Sequence, residues 1–152
     1  MIEAMAQAER LISGTIVNEL VLAARHGLDF ANRELRAAGV DPGEYGPLSF
    51  VGVMQPVTRT LLAREMGLRR TTLRDLVGRL IERGHVREDP NPGDGRSTLL
   101  TLTPAGQEIF DRGIPVFQRV LREIDASLGG RLNEEELAVR RVRIALQALS
   151  AD

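Results

Sequence analysis

Six arginines fall between positions 69 and 87 (Arg69, Arg70, Arg74, Arg79, Arg83 and Arg87), against two acids, Asp75 and Glu82. That stretch is net positive by four, in a chain of formal net charge -1. Guanidinium is a planar fork of donors that matches phosphate oxygens and the O6/N7 edge of guanine. A local basic face on a near-neutral chain is the footprint expected of phosphate contact. Arg96 stands apart, in the run PNPGDGR, where glycines and prolines demand a turn that would project it.

Other chemistry finds little support. His26 and His85 are the only histidines, and there is no cysteine. Disulfides and thiol catalysis are therefore excluded, and a zinc site would need unusual carboxylate help. His85 reads as structural, at a helix–strand junction, and His26 as facing a ligand pocket or water, with water preferred. No phosphate-cradling glycine loop, nucleophile elbow or metal-ligand spacing appears. Glu134 to Glu136 form an acidic cluster that a helix N-terminus explains. An enzyme, a cofactor and a metal are not expected.

The elements that must position the arginines are legible. Leu73, Leu76, Val77, Leu80 and Ile81 fall at i, i+3, i+4, i+7 and i+8, one face of a helix that Gly84 would stop. Upstream, Thr58 to Met66 reads as a short helix, followed by Gly67. Downstream, Val86 to Asp89 and Thr98 to Thr103 read as the strands of a hairpin. Two helices joined by a short glycine turn make a helix–turn–helix, and the hairpin adds a wing. A helix fits the major groove of B-form DNA, and a basic hairpin tip reaches the adjacent minor groove.

With these residues assembled, LAREMGLRRTTLRDLVGRLIERGHVREDPNPGDGRSTLLTLTPAGQEIF resembles the core of a MarR-family transcriptional regulator. The wing carries the likeness most specifically, through Asp94, Arg96, Leu100, Leu102, Thr103 and Gly106. The resemblance implies a mainly α fold with a small β-hairpin wing. A winged helix–turn–helix core (41–103) would be flanked by N-terminal (1–40) and C-terminal (104–152) dimerisation helices. It also implies a homodimer on a pseudo-palindromic double-stranded operator. The family's default is repression, relieved by a small aromatic or anionic effector. The second helix of the motif would enter the major groove N-terminal end first.

Arg69, Arg70, Thr71, Thr72 and Arg74 would then lie nearest the DNA. Arg70 and Arg74 suit guanine edges or phosphate, and the threonines suit phosphate, a thymine methyl or helix capping. Asp75 would repel phosphate; it could accept from cytosine, but a pairing with Arg79 one turn along is the preferred expectation. Arg96 suits a narrow A·T-rich minor groove, with Asp94 holding it or bracing the loop. Arg25, Phe30, Tyr45 and Phe50 are candidate effector contacts.

The flanks are expected to be helical. Residues 3 to 38 carry the stripe Leu11, Ile12, Ile16, Leu20, Ala24, Leu28, Ala31 and Leu35, longer than a small winged core can cover. A second copy of the chain is the simplest partner for it. Residues 44–57 read poorly as helix, because of Gly46, Pro47, Gly52 and Pro56, although a short buried helix from Pro47 to Gln55 is compatible with them. Thr103 and Pro104 should open a helix that Pro115 kinks, and Asn133 to Glu136 should cap the last one. No apolar run approaches membrane-spanning length, and the N-terminus lacks a signal peptide's basic start, so the cytoplasm is the expected location. A contrasting reading is a winged-helix protein-interaction module that has lost DNA binding, which Asp75 and the overall acidity favour.

Overall fold

A computed structural model describes residues 15–149. The N-terminal part of the expected first helix, with Leu11 and Ile12, lies outside the described residues. In order, the elements are α1 (Ile16–Ala37), α2 (Pro42–Met54), β1 (Val57–Thr58), α3 (Arg59–Glu65), α4 (Arg70–Glu82), β2 (Val86–Pro90), β3 (Thr98–Leu102), α5 (Pro104–Ser127) and α6 (Leu132–Leu149). The chain divides within α5 into a unit ending at Val116 and a smaller unit beginning at Phe117. No helix among the described residues is long and apolar enough to cross a membrane.

The core of the first unit sits where α2, α3 and α4 meet the sheet. Leu48, Val51, Val57, Leu62, Leu73, Val77, Leu80, Val86 and Leu100 are all essentially sealed from water. Leu73, Val77 and Leu80 form the stripe that the helical period of α4 dictates. Gly84 ends that helix at φ 74°, a conformation glycine adopts without strain, and His85 N–H bonds back to the Leu80 carbonyl at 2.9 Å. The sheet has the order β1-β3-β2 and is antiparallel throughout. In the wing Val86 faces Leu102 and Glu88 faces Leu100, while β1 adds Val57 opposite Leu100 and Thr58 opposite Leu99. Sequence reading did not anticipate β1.

Residues 42–54 form a full α-helix, longer than expected and including Pro47. Asp41 caps it by accepting from Gly43 N–H at 3.0 Å, and Pro42 occupies the first turn. Glu44, Tyr45, Pro47, Leu48 and Val51 are buried along it, so packing outweighs poor propensity. Gly52 is there for a neighbour: a Cβ would lie 2.8 Å from the Phe110 ring. Glu44 is the one charged group in that buried set, and it is satisfied twice. Arg83 Nη1 donates to it at 2.9 Å, and His85 Nδ1 donates to its other oxygen. The histidine therefore ties the base of the wing to the start of α2.

α1 is amphipathic but buries only Ala31 and Leu35; Ile16, Val17, Val21, Leu22 and Leu28 remain exposed. In the second unit α6 buries no residue, and Leu137, Val139, Ile144, Leu146 and Leu149 are exposed. α5 runs unbroken through Pro115. Asn133 is not the cap of α6. The helix starts at Leu132, whose N–H donates to Asp125 Oδ1 at 3.0 Å, and Arg131 supplies the carbonyl for Glu135 N–H.

Candidate nucleic-acid interface

Thr58 caps α3 through its hydroxyl, which accepts from Leu61 N–H at 3.3 Å. Gly67, at φ 64°, turns the chain, and α4 begins three residues later. The N-cap of α4 is Arg69, and it makes no side-chain capping bond. The first-turn amides of this helix therefore keep their affinity for an incoming acceptor. Arg69, Arg70, Thr71, Thr72 and Arg74 are all exposed around this end. The threonines thus do not serve as the cap. Arg59, Thr60, Arg70, Leu73 and Arg74 line a shared hollow of about 210 Å³.

The wing tip is closed by its own bonds. Asn91 Nδ2 donates to Ser97 Oγ at 2.9 Å, and Asn91 Oδ1 accepts from Gly93 N–H at 3.0 Å. Asp94 Oδ1 accepts from the backbone N–H of Arg96 at 3.1 Å. Asp94 therefore braces the loop through the main chain, one of its two expected roles. The Arg96 side chain is exposed.

One expectation is corrected in detail. Asp75 pairs with its neighbour Arg74, at 3.6 Å, and the expected link to Arg79 is absent from the ion pairs among the described residues. The pair is well exposed and contributes little to stability. Arg79 instead lines a different hollow, of about 150 Å³, with Asp41, Glu44, Leu76 and Arg83. It is set apart from the hollow that Arg70 and Arg74 share.

The four candidate effector contacts fall in different settings. Arg25 is exposed on α1, and Phe30 is half-buried with the Arg33 guanidinium 5.1 Å from its ring centre. Phe50 is exposed on α2, whereas Tyr45 is buried and its hydroxyl donates to the Phe110 carbonyl at 3.2 Å. Burial, then the nearby Asp111 charge, raises the Tyr45 pKa. Its ring fills the space left by Gly113, where a Cβ would overlap it.

Among the ion pairs that sequence reading missed, one joins the motif to the wing. Arg59 Nε and Nη2 each donate to Glu88 at 2.7 Å, a bidentate clamp between α3 and β2. The Thr98 hydroxyl donates to the same carboxylate from β3. A signal was present: strand alternation from Val86 puts Glu88 on the core side, where a carboxylate needs a cation. Nothing local singled out Arg59 among twenty arginines.

The Arg59 hydrogen bonds pull the Glu88 carboxyl from 4.5 to about 2, helped by Thr98 and opposed by burial. A folded value below the unfolded one means stabilisation that is complete above about pH 4.5 and lost as pH falls toward 2. The two side chains are 31% and 25% exposed, so water screens the pair, and about 2 kcal/mol is the expected size. Unfolding free energies of the parent and Glu88→Gln from urea titration should differ by that amount near neutrality, and their midpoints should converge toward pH 2. Parallel midpoint curves down to pH 2 would contradict the assignment.

A helix–turn–helix followed at once by a hairpin, with a short strand joined to β3, defines a winged helix–turn–helix protein. Residues 38–97 match the MarR family. A candidate transcriptional regulatory protein for the hcr operon of Thauera aromatica is 30% identical over 131 residues, which is 83% of this chain and 76% of that one. The fold is similar to that of S. aureus MepR, solved as a DNA complex, with TM-score 0.72, 15% identity, and coverage of 86% of this chain and 97% of that one. It is also similar to the transcriptional repressor CouR, solved on a 23-mer DNA duplex, with TM-score 0.71, 20% identity, and coverage of 90% and 96%. The chain belongs to the MarR family of transcriptional regulators.

Proposed function

We propose that this regulator binds a pseudo-palindromic DNA operator as a homodimer, each subunit reading one half-site. The observation that carries this is the uncapped, arginine-flanked start of α4, a helix end built to receive phosphate and base edges. Arg69, Arg70, Thr71, Thr72 and Arg74 make the major-groove and phosphate contacts. Arg96 enters the minor groove and Asp94 shapes its loop. Arg79 reaches only a flanking phosphate. Residues 41–103 form the reading head, and residues 1–40 and 104–152 carry the dimer helices. The exposed apolar residues of α1 and α6 support the dimer, since monomers seldom leave such faces open. The DNA complexes of MepR and CouR support the DNA partner.

The regulator acts as a repressor, and a small aromatic or anionic molecule releases it by favouring a state with a different spacing of the two heads. Arg25, Phe30 and Phe50 are the accessible members of the proposed effector set; Tyr45, the fourth, is buried against Leu35, Val40 and Val116. Selection of bound duplexes from a random pool, with sedimentation of the purified protein, tests the core of this reading. The expected result is a two-fold symmetric motif with half-sites about one helical turn apart, bound by a dimer. A monomer in solution, or no enrichment at low salt, would sink it.

A further inference from the structure

Glu88 occupies an inward-facing strand position opposite Leu100, where an ionised carboxylate is costly. Its two oxygens are taken up by Arg59 and Thr98. Arg59 opens α3, directly after Thr58, whose backbone pairs with Leu99 of the wing. The same residue lines the hollow at the start of α4 with Arg70 and Arg74. One of its nitrogens, Nη1, is buried without a hydrogen-bond partner among the described residues. A half-buried ion pair with an orphaned donor is a poor device for stability alone, since packed apolar side chains serve as well. Its distinctive property is direction: a planar fork on a carboxylate fixes one orientation of the two elements.

We propose that Arg59 and Glu88 are positioning residues that set the angle between the wing and α4, so that Arg96 meets the minor groove when α4 occupies the major one. This rests on the DNA-binding reading above. The test uses full-length protein on a duplex recovered by selection, well below each variant's melting temperature. Glu88→Gln and Arg59→Ala should each weaken binding about ten-fold. The salt slope should stay unchanged, because no phosphate contact is lost. Hydroxyl-radical protection should disappear under the wing while guanine protection in the major groove persists. The swapped pair Arg59→Glu with Glu88→Arg should regain the wing footprint.

An intact wing footprint in Glu88→Gln, with only the melting temperature lowered, overturns the proposal. So does a salt slope that falls by about one in Arg59→Ala without rescue by the swap, which would make Arg59 a phosphate contact. No footprint from the unsubstituted protein on any duplex refutes the DNA-binding reading itself, and the positioning role with it.

Discussion

Gly106→Ala is expected to destabilise the protein by about 3 kcal/mol or more, lowering its melting temperature by roughly 10 °C. A Cβ at Gly106 would run into the backbone carbonyl of His85. That carbonyl cannot readily yield, because it accepts from Thr103 N–H at 3.0 Å. Thr103 is fixed in turn: its hydroxyl donates to the Gly84 carbonyl at 2.6 Å and accepts from Gly106 N–H at 3.1 Å. The end of α4, the base of the wing and the start of α5 thus meet at one backbone crossing. Gly46→Ala is the control. It lies inside α2 with nothing within 4 Å of the added carbon, so it should be neutral or stabilising by up to about 1 kcal/mol. Thermal unfolding followed by circular dichroism separates the two. Equal melting of Gly106→Ala and the parent would mean that this crossing is packed differently.

Arg70→Ala and Arg96→Ala should produce the largest losses of DNA affinity, about ten- to a hundred-fold each. Their signatures differ. Arg70 stands in the first turn of α4, so its loss should relax preference at one base position per half-site. Arg96 stands at the wing tip, so its loss should blunt the preference for A·T-rich flanks and reduce the salt slope. Both side chains are exposed, so melting temperatures should hold within a degree or two. Binding isotherms on selected and flank-altered duplexes at several salt concentrations check both. Unchanged affinity in both variants would remove the basic helix end and the wing tip from the interface together.

How legible was this in the sequence? α4 and the wing were read almost to the residue, because period, glycine stop and strand alternation agree there. α2 was not, since Pro47 and Gly52 report tertiary demands rather than local preference. The room that Gly52 makes for Phe110 becomes visible only when helices 58 residues apart in sequence pack together. The Asp75 pairing went astray because adjacent Arg74 competes at close range with Arg79 one turn away. The burial of Tyr45 was likewise hidden, because a tyrosine among small residues carries no sign of it. Arg59 and Glu88 sit 29 positions apart, and only the sheet register shows that they meet.

The loop between the wing strands has one more implication. Asn91 and Ser97 clasp each other at its neck and Asp94 braces the turn within it, so Pro92, Gly93 and Gly95 contribute no side-chain bond to the hairpin. Their identity bears little on whether the chain folds. Mutation can therefore explore those three positions almost freely, and a descendant of this protein can acquire a new flanking preference without first having to regain its shape.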